Sequence, residues 1–535
     1  VDWPDGSRTT ATDVTANQMI TLYQKEASPS APKLLRDREP LLHDITETFP
    51  LRFRHVENHF IDFQREPLIP HLLSTEGPKI AKGDINGDGR DDLYLGGAKG
   101  TAGRILVQTA SGTFESTNEG LLRKSNISED VDAAFFDADG DGDQDLYVVS
   151  GGNEYSRQAP ALLDRFYIND GSGEFSLSNN RLPKFYASGS CVASGDFDSD
   201  GDTDLFVGSR SVPWKYGLTP TSYLLENDGQ GLFSVVTEAY AHGLDKVGMV
   251  TDAAWIDYDN DGDLDLVVVG EWMPVTLYEN TGRALIEITS NTGLEKTSGW
   301  WNCIVTDDLN GDGIIDLVAG NLGNNSKIKA SLLEPAAVYI SDFDNNGLIE
   351  QILCTYKSGK SYPMLLRPDL VNQLPYLKEK FPTHADYGGK EITDVFSEEQ
   401  LNRATVRKAY TFATTLFYGN GDGTFQQHLL PVETQFSPIY AIIARDFDGD
   451  GSKDLLLAGN FHGVPPQLGR YDASYGTLLL GGDNTTFKAL LPGESGLLIS
   501  GQVRDIATLT YQDGREVILI AKNDAPIQVY RQAPK

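Results

Sequence analysis

Cysteine is scarce: Cys191, Cys303 and Cys354 are the three in 535 residues. None sits in a C-x-x-C pair, and three cannot build a disulfide framework, so a small stapled scaffold is excluded. Positive charge is also short. Lys and Arg number 44 against 77 Asp and Glu, a formal charge of −33. Without an excess of phosphate-neutralising side chains, this balance argues against nucleic acid and against anionic membrane as partners. Long apolar runs are missing; none approaches the ~20 residues of a membrane span, so no membrane insertion is expected. The opening Val1-Asp2-Trp3-Pro4-Asp5-Gly6 is too polar for a signal peptide. With no Met at its start, the chain reads as a fragment or processed product attached to an upstream domain.

What is plentiful is glycine (54), proline (25) and a hydrophobic fraction of 40 %. The chain is too long for one small core, which leaves several domains or one large barrel, propeller or repeat array. A repeat decides between them. The motif D-x-[DN]-x-[DN]-G-x-x-[DE], followed by an apolar run, occurs seven times. Its first position is Asp84, Asp137, Asp196, Asp257, Asp308, Asp342 and Asp446. The third is Asn86, Asp139, Asp198, Asp259, Asn310, Asp344 and Asp448; the fifth is Asp88, Asp141, Asp200, Asp261, Asp312, Asn346 and Asp450. The seventh is Arg90, Asp143, Asp202, Asp263, Ile314, Leu348 and Ser452; the ninth is Asp92, Asp145, Asp204, Asp265, Asp316, Glu350 and Asp454. A degenerate copy without its acids begins at Leu509.

Alternating oxygens at positions 1, 3 and 5 turn toward one point. Glycine at position 6 permits the bend, position 7 offers a carbonyl, and the acid at position 9 closes the cage. That is a ligand set for Ca²⁺, a hard cation taking six to eight oxygens. An EF-hand would carry Glu at position 12, where these loops have residues such as Leu95, Val148 and Val207. The flanks are β-like, so each site is strand–loop–strand. Seven Ca²⁺, two charges each, would bring the formal charge from −33 to −19. Much of the acidity is then accounted for by metal sites.

A second phrase alternates with the first: an apolar strand, a Gly/Asn turn and Phe, as in FYINDGSGEF from Phe166 and YLLENDGQGLF from Tyr223. Each unit is therefore four antiparallel strands, and the first loops start 53, 59, 61 and 51 residues apart. This is the period of a β-propeller blade. The expected fold is all-β, a propeller of seven blades, or eight if Asp342 opens its own. Leu41–Thr46 is expected to supply the last blade's outer strand, which removes an exposed edge. Loop starts at 308, 342 and 446 break the spacing. The expectation is that Ala336–Tyr356 forms the outer hairpin of the blade starting near Cys303. The next blade would carry an insertion with helices around 369–380 and 397–406.

The Asp motifs and Gly-x-Phe turns resemble FG-GAP/VCBS repeats, also seen in integrin α-subunits. Residues 1–27 resemble the tail of an ASPIC/UnbV module, an arrangement similar to that of cartilage acidic proteins. The implied organisation is a module remnant at 1–27, a linker at 28–40 and a propeller at 41–535. The resemblance implies a secreted or surface-exposed protein, with the periplasm as a further location. It implies a binding or adhesion role toward a glycan or protein ligand, and no single activity.

Antiparallel connectivity puts the Asp loops on one face and the longer loops on the other. Those longer loops carry Tyr155, Arg157, Trp214, Tyr216, Trp272, Trp300, Trp301, His462, Arg470 and Tyr471, candidate ligand-binding residues by their size and chemistry. No G-x-S-x-G or P-loop is present, and His55 and His59 lack the Glu of H-E-x-x-H. Asp132 and Asp252, in register with Cys191 and Cys303, are the one acid pair that would suit the alternative, a carbohydrate-active lyase or hydrolase.

Overall fold

The computed structural model describes residues 7–12, 20–29, 39–178, 180–482, 486–511 and 514–533. About half of residues 1–27, expected as a module remnant, and most of the expected linker at 28–40 lie outside these. Within the described part, Ser7–Arg8 pairs antiparallel with Ser28–Pro29.

From Ile80 onward, four-stranded antiparallel sheets follow one another. Sheet one is Ile80–Gly83, Asp92–Leu95, Arg104–Gln108 and Phe114–Thr117; sheet two is Glu129–Phe136, Asp145–Gly151, Arg165–Asn169 and Phe175–Leu177. Sheet three is Ser188–Gly195, Asp204–Ser211, Tyr223–Asn227 and Phe233–Val235; sheet four is Met249–Ile256, Asp265–Met273, Thr276–Asn280 and Leu285–Glu287. Sheet five is Gly299–Asp307, Asp316–Asn321, Thr415–Gly419 and Phe425–Leu429; sheet six is Ile439–Arg445, Asp454–Gly459, Thr477–Leu480 and Lys488–Ala489. Sheet seven is Gln502–Thr510, Glu516–Asn523 and Gln528–Gln532, with Leu42–Asp44 as its fourth strand. The first strands of these sheets pack against one another in a closed ring, each on the next and sheet seven on sheet one. This is a β-propeller.

Second strands are the core. All nine residues of Asp265–Met273 are buried, as the continuous Val-rich run requires of a strand covered on both faces. First strands carry a shared irregularity. Register shifts fall between Asp130 and Asp132, Gly189 and Cys191, Val250 and Asp252, Trp301 and Cys303, Ile439 and Ala441, and Val503 and Asp505. Each bulge sets the residue after it at one level of the ring.

The region between Asn321 and Thr415 departs from the expected layout. Ala336–Ser341 and Glu350–Lys357 are not the outer strands of sheet five. They pair with Lys360–Pro363 and Thr405–Ala409 in a separate sheet, inserted between the second and third strands of sheet five. The phrase LFYGNGDGTF from Leu416 completes sheet five, and sheet six is regular. Helices at Arg367–Gln373, Leu377–Lys380 and Glu398–Arg403 belong to the insertion.

The insertion and residues 47–79 cover the face opposite the Asp loops. One apolar cluster joins all three parts: Ile69 and Leu73 from the crossing segment; Tyr216, Trp272 and Trp300 from the ring; Val338, Leu353 and Phe412 from the insertion. Beneath it lies a buried polar network. Glu271 accepts from Arg210 at 2.7 Å, from the Tyr216 hydroxyl at 2.6 Å and lies 3.1 Å from His71 Nε2. Burial alone would raise the Glu271 carboxyl, but His71 and Arg210 hold it well below the ordinary carboxylate range.

Candidate metal loops and the ligand-binding face

Six of the seven Asp loops connect first to second strands around the ring and share one face. The seventh, at Asp342, lies in the inserted sheet, away from the others.

All seven loops have the same internal wiring. The position-1 carboxylate accepts the N–H of the position-6 glycine at 2.7–3.1 Å, from Gly89, Gly142, Gly201, Gly262, Gly313, Gly347 and Gly451. Position 5 accepts the N–H of position 7 at 2.7–3.0 Å. These bonds turn the side chains inward. One oxygen from each of Asp137, Asp139 and Asp141 lies within 4.8 Å of the others, and the same holds for Asp196, Asp198 and Asp204, for Asp257, Asp259 and Asp265, and for Asp342, Asp344 and Glu350. Asp139 Oδ1 and Glu350 Oε1 are buried without a hydrogen-bond partner. Crowded carboxylate oxygens, some unpaired, fit a Ca²⁺ ligand set.

Position 9 does more than close a cage. In the ring loops its carboxylate accepts an N–H from loop position 2 and another from the third strand. For Asp204 these are Phe197 at 3.3 Å and Asn227 at 2.8 Å; for Asp265, Tyr258 at 3.1 Å and Asn280 at 2.7 Å. Asp92, Asp145, Asp316 and Asp454 repeat the pattern. Burial raises these carboxyls, to about 7 for Asp145, Asp204 and Asp265 and to about 6 for Asp92, Asp316 and Asp454. At Asp84 the position-7 side chain intervenes: the Arg90 guanidinium pairs with Asp88 and donates to the Gln108 carbonyl at 2.9 Å.

A latch between sheets escaped the sequence reading. Asn169, Asn227 and Asn280 end the third strands of sheets two, three and four. Each donates its amide to the position-2 carbonyl of the preceding sheet's loop: Ile85 at 2.7 Å, Ala138 at 2.8 Å and Phe197 at 2.6 Å. Gln108 does the same between sheets one and seven, reaching the Thr510 carbonyl at 3.1 Å. In sheets five and six the position is Gly419 and Gly481, with no side chain to reach across. The signal was the Asn in the FYIN, YLLEN and TLYEN phrases.

Asp132 and Asp252 lie around Lys79 together with Asp505. Each accepts an N–H from the next sheet's first strand, Val192 and Ile304, both at 2.9 Å; Asp505 takes Ile80 at 2.9 Å. They are staples across the ring, beside Lys79, and Cys191 and Cys303 are buried free thiols at the same level.

The candidate ligand residues divide. Trp301 (0 % exposed), Tyr216, Trp272, Trp300 and Tyr471 are buried. Tyr216, Trp272, Trp300 and Tyr471 pack in the cluster between ring and insertion, and Trp301 packs between sheets four and five, so all five leave the ligand surface. Trp272 Nε1 donates to the Tyr216 hydroxyl at 2.8 Å. Trp214 is exposed, with the Arg65 guanidinium over its ring at 4.3 Å. Arg157 and Arg470 are exposed, Tyr155 and His462 partly so. Arg470 lies 3.0 Å from the His462 ring. The structure brings Arg157 to a cleft of about 430 Å³ between sheets two and three, together with Tyr186, Pro213, Thr219 and Tyr223. Among the described residues no carboxylate pairs with Arg157.

Residues 84–148, 137–207 and 257–319 match the FG-GAP-like repeat. The chain carries FG-GAP-like repeats. It is similar to cartilage acidic protein 1 of Xenopus tropicalis, 23 % identical over 419 residues. The match takes in 71 % of this chain and 57 % of that relative. Among solved structures, the V. cholerae biofilm matrix protein Bap1 aligns over 90 % of both chains at 11 % identity and a TM-score of 0.35. YCF48 bound to D1 peptide aligns over 90 % of this chain and 97 % of its own at 9 % identity and 0.40. The fold assignment rests on this chain's own sheets. Among the described residues no helix is long and apolar enough to cross a membrane.

Proposed function

We propose that the chain is a calcium-stiffened extracellular binding module that recognises a glycan or protein ligand through the face opposite its ring loops. Support for calcium comes from seven oxygen-lined loops of one design and from the unpartnered oxygens of Asp139 and Glu350. Ca²⁺ sites of extracellular modules bind at ~10⁻⁴–10⁻³ M, so the ion suits a location where calcium is plentiful. The similarity to cartilage acidic protein 1 supports the same setting. In this reading residues 41–535 act as one propeller with its insertion.

The observation that carries the binding role is the cleft between sheets two and three. It offers an unpaired guanidinium at Arg157 and an exposed ring at Tyr186, 40 % accessible, on a scaffold of net charge −33. Arg and Tyr are the residue types that anchor polar and aromatic contacts. A glycan array and a surface-protein pull-down, run at millimolar calcium with wild type, Arg157→Ala and Tyr186→Ala, test it. Each variant is expected to lose at least ten-fold in retained ligand. Undiminished binding by both folded variants would remove the cleft from the account.

A further inference from the structure

A second cluster of titratable groups lies on the face away from the ring loops. His55 and Glu57 belong to the crossing segment, and Glu129 opens the first strand of sheet two. One ring nitrogen and one oxygen from each carboxylate lie within 4.8 Å of one another. His55 is 1 % exposed and Glu129 3 %. Two of their atoms, His55 Nε2 and Glu129 Oε1, have no hydrogen-bond partner.

Two nearby carboxylates are ion-paired, while the buried Arg504 guanidinium acts on Glu57 through space and donates to main-chain carbonyls such as Asn460 at 3.2 Å. Asp130 pairs with Arg165 at 2.7 Å, and Glu154 pairs with Lys99. Among the described residues no Lys or Arg pairs with Glu57 or Glu129. Glu57 accepts only neutral donors, the Asn58 N–H at 3.0 Å and the Asn523 amide at 2.7 Å; Glu129 accepts the Lys99 N–H at 3.0 Å. Two carboxylates without an ion-pair contact, one carrying a buried open lone pair, favour a positive charge between them.

We propose that His55, Glu57 and Glu129 hold a divalent transition-metal ion, Zn²⁺ or Mn²⁺ by the chemistry of one imidazole and two carboxylates, which pins the crossing segment to the ring. The site differs in kind from the Asp loops: it has a nitrogen ligand, and its residues come from chain segments far apart in sequence. Ligation through Nε2 moves the ring proton to Nδ1, which now accepts the Asp524 N–H at 3.2 Å. That contact is at the long end of the range for such bonds and is given up.

The test is titration of the chelator-stripped chain with Zn²⁺ and with Mn²⁺ at saturating calcium, followed by anomalous diffraction at the Zn edge. Wild type is expected to take one equivalent with an anomalous peak among the three side chains. His55→Gln and Glu129→Gln should each weaken it by at least about ten-fold, and Asp259→Asn should leave it unchanged. No equivalent beyond calcium, equal affinity in both variants, or a peak elsewhere would overturn the assignment. A shared proton between the carboxylates would give the first of these outcomes. If Glu129→Gln does not fold, Glu57→Gln and the wild-type anomalous map decide.

Discussion

The loops at Asp308 and Asp342 share a motif and differ in what surrounds their ninth residue. Asp316, in the ring, is held by two backbone N–H groups, Leu309 at 3.1 Å and Gly419 at 2.9 Å. Glu350, in the inserted sheet, is held by one, Phe343 at 2.9 Å, and its Oε1 is buried and open. The cause is the third strand. In sheet five it runs past Leu317 and brings Gly419 alongside the acid. In the inserted sheet Lys360–Pro363 stops opposite Cys354, short of Glu350. The acid at the ninth position is thus a structural splice in one place and carries an open oxygen in the other. A nine-residue motif does not say which.

The largest expected effect breaks that comparison directly. Asp316→Ala removes two hydrogen bonds to a charged acceptor and strands two N–H groups, a loss of about 4 kcal/mol. It should appear in denaturant melts even with excess chelator. Glu350→Ala removes one such bond and strands one N–H, a loss of about 2 kcal/mol in chelator, and should show a further loss when calcium is present. Equal losses in chelator would mean that the third strand is not what separates the two loops.

Next in size is the latch. Asn227→Ala deletes the amide that reaches the Ala138 carbonyl at 2.8 Å and the Thr203 carbonyl at 3.1 Å, a loss of about 2 kcal/mol. Sheets five and six do without it, so hydrogen exchange should open their boundary before that between sheets two and three. Faster exchange at the latched boundary would contradict the role.

The smallest effect concerns the Asp84 loop. Arg90 occupies Asp88 there, and a cation must compete with it. Arg90→Ala should raise that loop's calcium affinity about three-fold, the worth of an exposed ion pair. A fall in affinity would show that the guanidinium supports the cage.

The ring was legible because each sheet repeats two short phrases, and both are local. DYDNDGDLDLVVVG names its loop and its buried strand without reference to anything distant. The insertion was not legible for the opposite reason. Its Asp342 motif looks like another ring copy, while the strand that completes sheet five waits until Thr415. Burial of Trp272, Trp300 and Trp301 was hidden too. The cover that buries Trp272 and Trp300 comes from residues 47–79 and from the insertion, and no pattern around a tryptophan reports what will lie over it. Asn227 stood in plain view, but its partner carbonyl belongs to the preceding sheet.

The central claim is that calcium in these loops stiffens the ring. At millimolar Ca²⁺ each site contributes roughly 0.5–2 kcal/mol if the sites are independent. The direct measurement is the thermal midpoint of the chain across a calcium titration from excess chelator to several millimolar. The account predicts a marked rise that saturates in the millimolar range and reverses with chelator. A midpoint that does not move between excess chelator and saturating calcium would contradict it.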